Sequence, residues 1–178
     1  MPDEFIRQWG DPALYERAKP VASFDDLLRA RAARLRRMLE RADGAGLAAT
    51  QVGWLRRLFA FRVSPEDPIA VIVNPELTWR SEQIEVFVEG CLSFNAVAVA
   101  VRRPFAVRVA GFDVHGEATE VEYEGFAASL MQHEIDHLDG VLTLHRADPV
   151  ERRRATMRLA DLARIDRERA TRWEARAS

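Results

Sequence analysis

Residues 131–140 read Met-Gln-His-Glu-Ile-Asp-His-Leu-Asp-Gly and hold a His-Glu-x-x-His motif. Residues four apart on an α-helix lie one turn apart on the same face. His133 and His137 can therefore offer two imidazole nitrogens to one metal ion. Glu134 sits about 100° round the axis from His133, given 3.6 residues per turn. From there its carboxylate reaches a metal-activated water without being a ligand. Two ligands and a general base suit hydrolysis. The same pattern, with no metal, would be only a solvated helix face that happens to carry histidines.

Metal sites need a third protein ligand. Thr143 stands where an extended His-Glu-x-x-His-x-x-Gly-x-x-His motif would carry one, and Gly140 fits that pattern. Glu151 is a carboxylate further downstream, with nothing around it that looks like a second ligand helix. Cys91, the only cysteine, lies upstream in Glu89-Gly90-Cys91-Leu92-Ser93 and is the better candidate. A thiolate and two imidazoles make a divalent-metal set with one position left for water.

Three segments in this order resemble the peptide deformylase family. They are Gly44-Ala45-Gly46-Leu47-Ala48-Ala49-Thr50-Gln51, Glu89-Gly90-Cys91-Leu92-Ser93, and Gln132-His133-Glu134-Ile135-Asp136-His137. The likeness runs from about Asp11 to about Thr143 and takes in Asn74-Pro75-Glu76. It implies removal of the formyl group from the N-terminal methionine of nascent chains. It implies Cys91, His133 and His137 as ligands of one divalent metal, usually Fe²⁺ in the cell, with Zn²⁺ as a substitute. Glu134 would be the base, and Gln51 and the backbone N–H of Leu92 would stabilise the oxyanion. Gly44 and Gly46 would line one wall of the substrate cleft. Phe87, Glu89, Phe126 and Leu130 are assigned to the substrate side, and Arg103 would pair with Glu89. The chain departs from the family at Phe94-Asn95-Ala96, where a proline is usual, which bears on loop shape and peptide recognition.

The elements that must position these residues are legible in outline. Gly125 to Met131 is rich in helix formers, and Phe126, Leu130, His133 and His137 follow a 4-3-4 spacing. That spacing predicts a buried stripe running into the two histidines. Asp139-Gly140 predicts the stop, with Gly140 in a left-handed cap. Residues 1–22 read as extended, with Trp9 packed on the core. Ser23 reads as the N-cap of a helix to about Ala42, with Leu28, Leu35, Met38 and Leu39 inside and arginines outside. Asp43-Gly44-Ala45-Gly46 ends it, the glycines permitting positive φ and close backbone approach.

Short β-rich runs follow at 58–63, 69–73, 82–88, 97–101, 105–109 and 119–123, with His115 in a turn. Asp148, Pro149 and Glu151 predict a last helix reaching about Trp173. Antiparallel β-sheets packed around a central metal-binding helix, with an N-terminal and a C-terminal helix, give an α+β fold. We read residues 1–178 as a single catalytic domain, with 146–178 as a C-terminal helical extension.

Of 178 residues, 48% are hydrophobic and 30% charged, with a net charge of −2. That suits a globular protein and does not suit a DNA-binding one. One cysteine permits no internal disulfide. No apolar run approaches the roughly 20 residues of a membrane span, and no signal pattern is seen, so a cytoplasmic location is expected. From Arg146 onward ten arginines face six acidic residues. Family members with such a tail can dock on the ribosome, and Arg152-Arg153-Arg154 could meet rRNA phosphates. The alternatives are a solvated helix here and, for the whole chain, a hydrolase of another N-acyl substrate, a ribosome-associated binding protein with a weak site, or a protease.

Overall fold

The computed structural model describes residues 5–94 and 97–177, with backbone alone for 166, 167 and 169–177. The fold is α+β, as expected. A helix, α1 (Asp26–Ala42), precedes a three-residue strand, β1 (Gly46–Ala48). Then come β2 (Leu58–Phe61), β3 (Ala70–Arg80), β4 (Ile84–Glu89), β5 (Val99–Pro104), β6 (Ala106–Phe112) and β7 (Ala118–Glu124). Three helices close the chain: α2 (Gly125–Leu138), α3 (Thr143–Arg146) and α4 (Pro149–Ala177). One antiparallel sheet has the order β1-β2-β3-β6-β7, and β4 pairs with β5 in a separate ribbon.

Three apolar clusters hold these layers. Met131, Ile135 and Leu138 of α2 pack on Phe59, Ile72, Val107 and Val109 of the sheet. Leu28, Leu35, Met38 and Leu39 of α1 pack on Leu47, Leu58 and Val73. A third cluster joins Leu14, Phe94, Val99 and Val101 to Leu142, Leu144, Ala155 and Leu159, with Trp9 packed against it. Helix α2 is thus wrapped between the large sheet and the β4–β5 ribbon, and every residue from Ala128 to Leu138 is buried.

Several boundaries differ from the sequence expectation. The N-cap of α1 is Asp25, whose carboxylate accepts the Leu28 N–H at 2.9 Å, and not Ser23. Asp43, at φ 50°, makes the left-handed cap of α1, while Gly44 and Gly46 do not adopt positive φ. Strand β3 does not stop at Asn74-Pro75 but bulges there. Proline needs no ladder donor at a bulge, and Asn74, at φ 50°, exchanges two bonds with the Val21 backbone. Phe126 is 56% exposed, so the α2 stripe is buried only from its second member onward. Gly140, at φ 71°, ends α2 as expected, and a Cβ there would come within 2.5 Å of the Tyr15 carbonyl oxygen. Asp148 caps α4 by accepting from Val150 N at 2.8 Å and Glu151 N at 3.1 Å.

Candidate active site

Helix α2 brings His133 and His137 together with ring centroids 4.9 Å apart. The turn after β4 carries Cys91 to them, and its Sγ lies 3.2 Å from His137 Nε2. One ligand atom from each of the three residues lies within 4.8 Å of the others. His133 Nδ1 is 3.0 Å from Glu89 Oε2, so its Nε2 is left for the Cys91 side. The Thr50 hydroxyl donates to the His137 carbonyl at 3.1 Å, tying β1's following turn to α2.

The electrostatics of this cluster suit a cation. Burial lowers the pKa of His137, and the neighbouring His133 and Arg103 lower it further, leaving a neutral ring as a metal ligand must be. Burial also opposes charge on His133, but the Cys91 sulfur and the Glu89 carboxylate outweigh it and hold its pKa well above the usual value. The same two groups would attract any cation placed beside the ring. His137 Nδ1 and Glu134 Oε2 are buried with no hydrogen-bond partner. A soft thiolate and two imidazoles form a donor set for a divalent transition metal with one open position.

Glu134 and Gln51 flank the cluster. Burial pushes the Glu134 carboxyl up to about 7, against the pull of His133. Gly46 is what lets it sit there: a Cβ on Gly46 would lie 2.7 Å from Glu134 Cδ and 2.9 Å from Cγ. Gly44 similarly faces Leu92, at 2.9 Å from its Cδ1. The sequence therefore needs these glycines for close approach alone. Gln51 Oε1 accepts from Ala48 N at 2.7 Å, which fixes the amide flip. Its Nε2 then points to Ser93 Oγ at 3.1 Å and Cys91 Sγ at 3.6 Å.

Behind His133 lies a buried ion-pair network. Arg103 Nε and Nη2 donate to the two oxygens of Glu89 at 2.5 and 2.9 Å, forming the expected pair. The Ser129 hydroxyl donates to Glu89 Oε1 at 2.8 Å. Burial alone would raise the Glu89 carboxyl, but Arg103 and then His133 outweigh it and hold it at about 2. Asp136 accepts from Arg103 Nη1 at 2.8 Å and from Arg146 at 2.6 and 3.1 Å.

A cleft of about 530 Å³ opens over the cluster. Its walls include Gly44, Gly46, Gln51, Phe87, Glu89, Cys91, Leu92, Phe126, Leu130, His133 and Glu134. The residues that the resemblance assigns to metal, base, oxyanion and substrate thus line one cleft, except His137, which lies beside Cys91, while Arg103 stands behind on Glu89. Phe94 is buried at the cleft edge, and the rest of its departing segment, Asn95-Ala96, lies outside the described residues. The sequence reading gave no role to Ser93, Ser129, Asp136 or Arg146. Ser93 and Asp136 stand inside the matched motifs, which marked their positions but not their partners.

The family model for polypeptide deformylase matches residues 4–153. A peptide deformylase of Thermotoga neapolitana is 43% identical over 162 residues, which is 91% of this chain and 98% of that protein. The crystal structure of the Thermotoga maritima enzyme superposes with a TM-score of 0.78 at 41% identity, covering 82% of this chain and 97% of the other. That of a Legionella pneumophila peptide deformylase gives 0.85 at 34% identity, covering 91% and 96%. A shared fold, near-complete length and one matched motif set leave a single conclusion: this chain belongs to the polypeptide deformylase family.

Proposed function

We propose that this chain removes N-terminal formyl groups with Cys91, His133 and His137 holding one divalent metal ion and Glu134 acting as general base. The observation that carries the reading is the three-ligand cluster with the unpaired, buried carboxylate oxygen of Glu134 in the same cleft. A bound ion supplies the Lewis acidity that makes water nucleophilic near neutral pH. Glu134 takes a proton from water as the water oxygen adds to the formyl carbon. It returns that proton to the amine nitrogen as the C–N bond breaks, releasing formate and a free N-terminus. The Gln51 amide, held by Ala48 N, and the Leu92 backbone N–H donate to the oxygen that gains charge. Gly44 and Gly46 shape one wall, and Phe87, Phe126 and Leu130 offer the apolar side to a methionine side chain. Glu89 lies at the cleft floor, where it orients His133.

The metal in the cell is assigned as Fe²⁺, with Zn²⁺ as a substitute. Both suit a thiolate with two imidazoles, and the preference for iron follows the family resemblance. Residues 1–178 act as one catalytic domain, with 146–178 as its helical extension. Formylated nascent chains are the substrates, so the protein works where ribosomes are, in the cytoplasm. No helix among the described residues is long and apolar enough to cross a membrane. Helix α4 supports ribosome docking through its exposed arginines, but Arg152 is spent on the carbonyls of Leu144, His145 and Ala147. Arg153 and Arg154 are the better rRNA contacts. Formate release from a formyl-Met tripeptide by anaerobically prepared, Fe²⁺-loaded protein tests the reading. Turnover lost in Glu134→Ala but with metal still bound supports it. No bound metal in the parent chain overturns it.

A further inference from the structure

Helix α3 carries no residue assigned to the reaction, yet two of its side chains reach the back of α2. Thr143 Oγ1 is buried and lies 3.3 Å from His133 Nδ1. Arg146, three residues on, grips Asp136 through Nη2 at 2.6 Å and Nε at 3.1 Å. Residues three apart share a helix face. From Asp136 the contacts continue without a gap. Arg103 Nη1 donates to Asp136 at 2.8 Å, its other two nitrogens fork onto Glu89, and Glu89 Oε2 meets His133 Nδ1 at 3.0 Å. Charges alternate along this line, and Thr143 closes it into a ring on His133.

We propose that Thr143 and Arg146 are positioning residues for His133, with α3 fixing the carboxylate and the ring that aim its Nε2 at the Cys91 sulfur. This rests on the reading of Cys91, His133 and His137 as metal ligands. A shared bond from Nδ1–H to Glu89 and Thr143 fixes both tautomer and ring plane. Arg103 serves two carboxylates from one guanidinium. Without Arg146, Asp136 keeps Arg103 as its remaining charged partner among the described residues. The guanidinium is then drawn toward Asp136, and its fork on Glu89 loosens. Helix α3 is firm enough to act as a brace. Leu142 and Leu144 are buried, Leu142 N donates to His145 Nδ1 at 3.0 Å, and Ala147 bridges to Val101. Arg152 of α4 ties down three carbonyls at its end.

The test uses the full chain with Thr143→Val, Thr143→Ser, Arg146→Ala and Arg146→Lys. Zn²⁺ affinity is read by chelator competition, and the ligand field by the sulfur-to-cobalt band of Co²⁺-loaded protein. Outer-layer partners of metal ligands typically contribute about 10–100-fold in affinity. Arg146→Ala is expected to weaken Zn²⁺ binding about tenfold, and Arg146→Lys to recover only part of that, because an ammonium cannot fork. Thr143→Val, nearly isosteric, should weaken binding several-fold and shift the cobalt band, and Thr143→Ser should restore both. Unchanged affinity and spectra in Thr143→Val and Arg146→Lys, with the parent chain binding one Zn²⁺, overturn the proposal. A lowered melting temperature alone does the same, since a merely structural brace would give that. A parent chain that binds no Zn²⁺ overturns the ligand reading itself.

Discussion

Helices α2 and α4 both carry many polar side chains and do opposite things with them. Helix α2 spans 14 residues and hides polar side chains: Ser129, Gln132, His133, Glu134, Asp136 and His137 are all buried. Helix α4 spans 29 residues, is anchored through Ala155, Leu159 and Leu162, and further on carries exposed ion pairs of Arg164 with Asp161 and Glu168. The difference lies in what surrounds each helix. Around α2 two sheets exclude water, so each polar group must have a partner or a task. Along α4 most of the described charged side chains face water, where charge costs little. A buried polar helix is therefore informative about chemistry, and an exposed charged one is not.

Substitutions on the two helices should differ by orders of magnitude. Glu134→Ala is expected to lower kcat/KM by about 10²–10⁴-fold, the range of a general base, while the metal stays bound. Cys91→Ala should instead release the metal on dialysis, which separates ligand from base. Gly46→Ala forces a Cβ to 2.7 Å from Glu134 Cδ and should cost activity about tenfold or more, with metal content intact. Activity near that of the parent chain would show that the Glu134 position is soft and that the packing around α2 is less strict than its burial implies.

Stability follows the same contrast at a smaller scale. Glu89→Gln breaks the buried fork with Arg103, which typically costs about 3–5 kcal/mol. The folded Glu89 carboxyl is held at about 2, below its unfolded value near 4.5. A depressed carboxyl stabilises the fold above the unfolded pKa, and that contribution is lost as pH falls through the folded one. The stability gap between metal-free parent and Glu89→Gln should thus narrow as pH falls from about 4.5 to about 2. Denaturant melts across that range check it. A gap independent of pH would assign the cost to packing and not to charge.

The contrast also explains what could be read in the sequence. Helix α2 was legible because its histidine spacing and its helical period coincide. The strands were legible because their apolar runs are bounded by turn residues, though β3 ran on past Asn74-Pro75, where a side-chain bond to Val21 absorbs the irregularity. Strand β1 and helix α3 were not visible. Gly46–Ala48 is a strand only because β2 pairs with it, and Thr143–Arg146 is a single turn held by Arg152 and a side-chain bond to His145. The three proposed metal ligands and Glu134 could be named from residue type and order. Asp136 and Arg146 could not, because an aspartate–arginine pair ten residues apart looks like any surface pair until both ends are seen to meet Arg103. Long-range satisfaction of buried charge leaves no periodic mark.

The smallest effect belongs at the far end of α4. Leu159 is buried in the third apolar cluster, and Leu159→Ala should cost about 2–3 kcal/mol, at the low end for a core leucine because a helix edge can relax. Beyond Leu162 the described contacts are pairs such as Arg164–Glu168 at 3.0 Å, each contributing about 0.3–0.5 kcal/mol. Ending the chain after Leu162 should therefore shift the melting temperature by no more than about 2 °C and leave formate release from a tripeptide unchanged. If that shortened chain also loses co-sedimentation with ribosomes in a salt-dependent manner, the exposed arginines serve docking, and α4 is a tether set apart from the chemistry. If it binds ribosomes as the full chain does, α4 beyond Leu162 is a solvated helix only. If catalysis falls, the boundary between the two helices' roles is misplaced, and α4 reaches α2 through α3 and Arg152 more strongly than their static contacts imply.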